Sequence, residues 1–307
     1  MDIQELLREK AELASALRLI PYDGSVEIKT VSEGKYLYLR KRVASRMTST
    51  YIDKYSDELH ALLVRSTQEA RRLKKQIRSV EKELAELGYS DIALSSRVLL
   101  NLDFARANVK SLIYDQAVLE GVSATFPQTE SILENGKVNG VTASDVQKIL
   151  NLKHAWEFIL DKDVIAAPSD YYLLCHIAKL VNEGFYEYGG KIRSVPVTIG
   201  GTKYIPPIPN ELDVKDQILK ITQSGLPDID TAIQLCLYSM KTQVFNDGNK
   251  RASVIFANHF LIGKGGGLLV IPEEHVPEFR RLLIDFYEGK DEESIMHFMK
   301  DVCWRRF

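Results

Sequence analysis

Leu6, Leu7, Leu13 and Leu17 recur at helical spacing over residues 2–18, and Pro21 stops the pattern. Two short β-branched or alternating runs follow, 24–31 with Val26 and Ile28 and 35–43 with Tyr36 and Tyr38. Joined across Ser32-Glu33-Gly34, they read as a β-hairpin. Two strands are marginal by themselves, so this hairpin needs a packing partner. From Asp53 to Leu87 runs a long helical pattern in which Leu73, Ile77, Val80, Leu84 and Leu87 share one face, ending at Gly88. That face is expected to pack on the hairpin or on a second copy of the chain, as a homodimer.

Beyond Gly88 the pattern predicts helices over 92–106, 109–119, 144–160, 168–184, 228–242, 250–263, 273–288 and 291–302. The exception is 193–204, where Val195, Val197 and Ile199 alternate, Gly200-Gly201 turns the chain, and Lys203-Tyr204-Ile205 leads into Pro206-Pro207. This predicts a hairpin on a helical body. The expected architecture is mainly α with small β-hairpins, in two domains: 1–90, a helix, hairpin and long basic helix, and 91–307, a helical domain.

Composition adds little to this. With 45% hydrophobic residues, 27% charged residues and a net charge of -2, the chain is of ordinary globular type, and its overall charge selects no partner. No uncharged apolar run reaches the roughly 18 residues of a membrane span. The start Met1-Asp2-Ile3-Gln4-Glu5 lacks the basic residues and apolar run of a secretory signal. Cys175, Cys236 and Cys303 are far apart among apolar neighbours, as free thiols. A cytoplasmic location is expected.

The distribution of charge says more. Residues 1–90 hold 17 Lys/Arg against 14 Asp/Glu, and between Arg65 and Lys82 seven bases face two acids, with Arg71, Lys75, Arg78 and Lys82 along one side. Lys35, Arg40, Lys41, Arg42 and Arg46 lie beside Tyr36 and Tyr38 in the hairpin. Cations interleaved with aromatics hold phosphates and stack bases. A solvated helix face explains the same charges more simply, so nucleic acid is the less favoured partner.

The chemically loaded stretch is Gln243-Val244-Phe245-Asn246-Asp247-Gly248-Asn249-Lys250-Arg251, between one apolar helix and the run Val254-Ile255-Phe256. Asn246 to Asn249 is a strong turn signal, and the helix after it offers free N–H groups and the positive end of its dipole to an anion. Lys250 and Arg251 add two cations, and Asp247 adds a carboxylate able to hold Mg2+ against the same phosphates. His154, His176, His275 and His297 are scattered without ligand spacing.

The whole nonapeptide resembles the signature of the Fic/Doc (Fido) family, His-x-Phe-x-Asp/Glu-Gly/Ala-Asn-Gly/Lys-Arg, and departs from it at the first position alone, where Gln243 stands. The resemblance covers about residues 92–307. Gly190-Lys191-Ile192-Arg193 through Pro206-Pro207 is similar to the family's Gly-x-x-Arg segment and target-clamping flap, with Thr198, Ile199, Gly200 and Gly201 at its turn. Residues 267–302 resemble the domain's closing strand and helices, and Glu120-Gly121 resembles its inhibitory motif Ser/Thr-x-x-x-Glu-Gly/Asn. The resemblance implies transfer of a nucleotide or phosphate group to a side-chain hydroxyl of a target protein held along the flap, most often adenylylation from ATP with Mg2+. In that scheme Asp247 binds the metal, Gly248, Asn249 and Lys250 shape the anion nest, Arg251 grips outer phosphates, and Phe245 anchors the loop.

The residue that takes the hydroxyl proton falls at position 243, and a glutamine amide has no useful basicity near neutral pH. His259 lies ten residues down the next helix, roughly 15 Å along its axis, and reads as a packing residue. Two further departures are Val254, where the longer motif has a second arginine, and Gln116, where the inhibitory motif has Ser or Thr. With Val254 in that place, Glu120 is either left without a partner or met by Lys250 or Arg251. The favoured function is a nucleotide-phosphate-binding protein whose AMP-transferase site is impaired and which works by binding or regulation. The alternatives are an active adenylyltransferase or phosphotransferase that relies on positioning and Mg2+, and a nucleic-acid-binding regulator acting through residues 1–90.

Overall fold

The computed structural model describes residues 2–31, 34–43, 46–89 and 93–306. The chain divides into two compact units, 1–91 and 92–307.

In the first unit α1 (Ile3–Leu19) starts at a capping box, Asp2 accepting from the Glu5 amide at 2.7 Å and Glu5 from the Asp2 amide at 3.1 Å. Three strands follow, β1 (Ser25–Val31), β2 (Gly34–Val43) and β3 (Arg46–Lys54), in an antiparallel sheet of order β1-β2-β3. The expected hairpin is therefore the first two strands of a three-stranded sheet; Ser32 and Glu33 of its turn lie outside the described residues. The third strand takes the start of the expected long helix. Thr48, Ser49, Thr50, Tyr51 and Ile52 favour a pleated strand, and Asp53 and Lys54 pair with Leu37 and Tyr36. Only then does Ser56 cap α2 (Asp57–Glu86), accepting from the Leu59 amide at 3.1 Å. The core joins Leu6 and Leu7 of α1 to Val80 and Leu84 of α2, with Leu37 of the sheet also fully buried. Leu87, expected on the buried face, is 53% exposed.

The second unit is helical: α3 (Ser96–Leu119), α4 (Phe126–Leu133), α5 (Ala143–Ile159), α6 (Lys162–Ile165), α7 (Tyr171–Val181), α8 (Glu211–Thr222), α9 (Asp228–Thr242), α10 (Asn249–Gly263), α11 (Val276–Tyr287) and α12 (Glu293–Asp301). The helices expected over 92–106 and 109–119 are one, because nothing between them breaks it. Asn108 stays inside the helix and donates back to the Phe104 carbonyl at 2.8 Å. α4, α6 and α8 have no counterpart among the expected helices. Two-residue strands β4 (Leu268–Leu269) and β5 (Trp304–Arg305) pair antiparallel near the end.

α10 is the centre of this unit, buried from Ala252 to Ile262 without a polar face and packed on α7, α9, α3, α5 and β4. No helix among the described residues is long and apolar enough to cross a membrane.

Candidate nucleotide-phosphate site

The loop between α9 and α10 carries the chemistry, and its shape follows from two residues with positive φ. Gln243 ends α9 at φ 50° and Gly248 opens α10 at φ 74°. The first is strained for a side-chain-bearing residue, of the order of 1–3 kcal/mol, so the surroundings must hold it. Arg193 does so. Its amide donates to Val244 O at 3.0 Å, its Nε to Gln243 O at 2.5 Å, and its other nitrogens reach the carbonyls of Val195, Pro206, Pro207 and Thr242. The side chain is 2% exposed, and burial pulls its pKa down from the usual value. Gly190 lies against α7 so closely that a Cβ would meet Cys175 O at 2.4 Å, which sets the approach of the segment to Arg193.

Inside the loop Asn249 clamps both ends of the turn. Its Oδ1 accepts from the Phe245 amide at 2.9 Å, and its Nδ2 donates to Phe245 O at 2.7 Å and to Gln243 Oε1 at 3.0 Å. Phe245 is 1% exposed and anchors the loop in the core. From α7's end, Asn182 Nδ2 donates to Asp247 O at 2.9 Å and its amide lies against Gly248. A Cβ at position 248 would stand 2.7 Å from Asn182 Oδ1. Gly248→Ala is therefore expected to cost about 1–3 kcal/mol in urea unfolding, from the left-handed backbone and the clash together.

Arg251 is 3% exposed. It donates to Val181 O at 2.7 Å, to Asn182 Oδ1 at 3.3 Å and to Asp247 Oδ2 at 2.8 Å. Glu120, at the C-terminal cap of α3, brings Oε2 to 3.4 Å from Arg251 Nε and Oε1 to 3.7 Å from Lys250 Nζ. With Val254 buried at 3% exposure, these two cations meet Glu120. Neither Glu120 Oε1 nor Arg251 Nε makes a hydrogen bond among the described residues. Gln116 is buried one turn before Glu120, donates to Arg251 O at 2.8 Å and accepts from Trp156 Nε1 at 2.9 Å. It braces the N-terminal turn of α10, a contribution its place in the sequence did not disclose. Asn182 was likewise missed: an asparagine at the end of a helix looks like an ordinary cap.

Other expected residues lie elsewhere. His259 is 1% exposed and bonded to Ser169 Oγ at 2.8 Å and Val164 O at 2.7 Å, well down α10. The segment with Thr198, Ile199, Gly200 and Gly201 is an irregular loop and forms no hairpin. The acceptors that a strand ladder would use near its ends are taken by Arg193, and prolines at 196, 206 and 207 remove donors. Its far side is clipped to the end of α11, where Glu288 Oε1 accepts from Thr202 Oγ1 at 2.8 Å and the Lys203 amide at 3.2 Å. Lys290 at 2.6 Å and these two donors hold the Glu288 carboxyl down at about 2. Thr198, Gly200 and Gly201 are exposed, and Ile199 is half-buried.

Residues 168–261 match the Fic/DOC family model, a stretch that takes in α7, α8, α9, the whole loop and most of α10. Protein adenylyltransferase Fic of Drosophila willistoni is 28% identical over 233 residues, 72% of this chain and 46% of that protein. The protein of the same name from Culex quinquefasciatus is 25% identical over 236 residues, with 73% and 46% covered. The chain thus spans about half the length of the curated relatives it matches. Among solved structures, Fic-1 from C. elegans superposes with TM-score 0.53 at 20% identity over 80% of this chain and 73% of that one. A Fic domain containing signaling protein from Bacteroides thetaiotaomicron gives 0.52 at 17%, over 71% and 89%. These show a shared Fic fold. Residues 2–61 match a second family, described as a domain of unknown function (DUF6788).

Proposed function

We propose that the Fic domain binds the phosphates of ATP or another nucleotide at the 243–251 loop, and that its transfer step is disabled at Gln243, so that the protein acts by binding or regulation. The carrying observation is where the Gln243 amide goes. Its Nε2 donates to Met240 O at 2.7 Å and its Oε1 accepts from Asn249 at 3.0 Å, so the group that stands where the family has its base is turned into the loop's own structure. A glutamine amide lacks the basicity that proton removal needs near neutral pH.

Support for phosphate binding comes from the N-terminal end of α10, from Lys250, whose side chain is 36% exposed, and from Arg251 Nε, a buried charged donor that makes no hydrogen bond among the described residues. The terminal nitrogens of Arg251 are committed to Val181, Asn182 and Asp247, so it acts mainly by holding the loop and lending its charge. The metal suits the same place. Asp247 is 48% exposed at the mouth of the loop, and Mg2+ is commonly held by one or two carboxylates plus substrate phosphates. When bound, Mg2+ would neutralise phosphate charge, and Asp247 would hold it. A target protein lies along the loop of Thr198 to Gly201, where Val195 and Ile205 expose apolar surface at 51% and 66%.

Calorimetric titration with ATP and Mg2+ tests the binding half. The native chain is expected to bind, Lys250→Ala to weaken binding by about five- to thirtyfold through loss of a charge-assisted contact, and Glu120→Gln to tighten it by freeing Lys250 and Arg251. An affinity unaffected by either substitution would place the nucleotide elsewhere.

A further inference from the structure

The outer face of the first unit's sheet carries a feature that the Fic reading leaves unused. Strand register places Tyr36, Tyr38, Arg40 and Arg42 of β2 on one face. Opposite them on the same face stand Glu27 and Lys29 of β1, and Met47, Ser49, Tyr51 and Lys54 of β3. Leu37 points the other way and is fully buried. Three tyrosines thus meet across two strands on the open side, with ring centroids 6.2 Å apart for Tyr36 and Tyr51 and 5.6 Å for Tyr38 and Tyr51. Tyr51 is 51% exposed and Met47 55%. Lys29 sits 4.3 Å over the Tyr38 ring.

Charge decides what such a platform takes. Glu27 is the one acid among the face residues just named, and it is paired with Lys29 at 3.7 Å. Arg40, Arg42 and Lys54 remain as exposed cations around the rings. On α2, part of the basic character singled out in the sequence is already answered. Arg72 pairs with Glu69, Lys74 with Asp23 and Lys82 with Glu86, and Arg71 donates to Ser25 Oγ. Arg65, Lys75 and Arg78 of α2 are exposed as well, but Arg40, Arg42 and Lys54 are the exposed cations that share a face with the aromatic rings.

We propose that this face binds single-stranded nucleic acid, with bases stacked on Tyr36, Tyr38 and Tyr51 and phosphates held by Arg40, Arg42 and Lys54. Aromatic side chains on an antiparallel sheet stack bases irrespective of sequence, and flanking Arg and Lys follow the backbone. From Tyr36 to Arg42 the strand runs about 20 Å at ~3.3 Å per residue, room for two or three stacked bases. A duplex hides the π-faces that the tyrosines would need, so the geometry selects unpaired strands. The proposal is independent of the nucleotide site in the other unit.

Fluorescence anisotropy on the full chain with labelled oligo-dT, oligo-U and a duplex of the same length tests it. Single strands are expected to bind, with log affinity falling against log salt at a slope of about -2, from ~0.7 per phosphate and three cations. Tyr51→Ala should weaken binding about tenfold while Tyr51→Phe, which keeps the π-face, stays within about twofold. Arg42→Gln should flatten the salt slope by about 0.7. Circular dichroism on each variant separates loss of binding from loss of fold. Three results overturn the proposal: no binding of any oligonucleotide at protein concentrations near the non-specific ceiling of about 10⁻⁴ M, preference for the duplex, or unchanged affinity in a folded Tyr51→Ala protein.

Discussion

Replacing Gln243 by histidine should raise transfer of label from α-labelled ATP by about 10²- to 10⁴-fold, the range that a positioned general base contributes. Three properties of position 243 favour the exchange. The backbone there is left-handed at φ 50°, a region in which histidine is several-fold enriched. Its carbonyl stays held by Arg193, which does not depend on the side chain. Asn249 keeps its two bonds to the Phe245 backbone, and the substitution removes only the bonds of the Gln243 amide to Asn249 and to Met240 O. α- and γ-labelled ATP run in parallel, with Mg2+, tell nucleotidyl from phosphoryl transfer, and both self-modification and lysate targets are scored. Combining Gln243→His with Glu120→Gly should raise labelling further, since the carboxylate near Lys250 and Arg251 is then gone. A native protein that labels as strongly as its histidine variant would overturn the disabled-site reading, and with it the assumption that the proton needs a side chain at 243.

Arg193→Met should destabilise the second unit by about 3–5 kcal/mol. The arginine is buried among carbonyls from three stretches of chain: the end of α9 and the first loop residue (Thr242, Gln243), its own neighbourhood (Val195), and the proline pair (Pro206, Pro207). Methionine restores the packing volume but donates nothing, leaving several buried acceptors without partners at about 1–3 kcal/mol each, partly relieved by water. At roughly 2–4 °C per kcal/mol for a unit of this size, the thermal midpoint of its transition should fall by about 6–20 °C. Arg193→Lys should fall between, because an ammonium cannot span the same set of acceptors with a planar fork. A loss under about 1 kcal/mol would mean that Asn182 and Asn249 suffice to hold the loop.

The sheet face and the loop differ in how much of each could be read along the chain. Val26 and Ile28, then Tyr36 and Tyr38, announce two strands by alternation, but residues 47–52 mix Thr, Ser and Tyr with no clear apolar face. That stretch has β-favouring residues but no alternation to announce it, and it became a strand where β2 offered it an edge, a non-local pairing. Tyr51 entered the aromatic cluster by the same route. Helices 228–242 and 250–263 were legible almost to the residue, since Pro227 opens the first and the Asp247-Gly248 turn opens the second. α8 was missed because Leu212, 68% exposed, and Leu219, 53% exposed, blur its apolar stripe.

By itself the sequence determined the helical character of residues 93–306, the polar loop between two apolar helices, and the absence of a basic group at Gln243, because each depends on local chemistry: period, turn residues and the identity of one side chain. Tertiary structure alone decided that Arg193 closes the loop from fifty residues away, that Lys250 and Arg251 meet Glu120, that residues 193–207 form a loop held by side chains, and that three tyrosines share one face. Each of these joins groups far apart in the chain, whose meeting is set by the packing of α7, α9 and α10 or by strand register, and not by any pattern within a single segment.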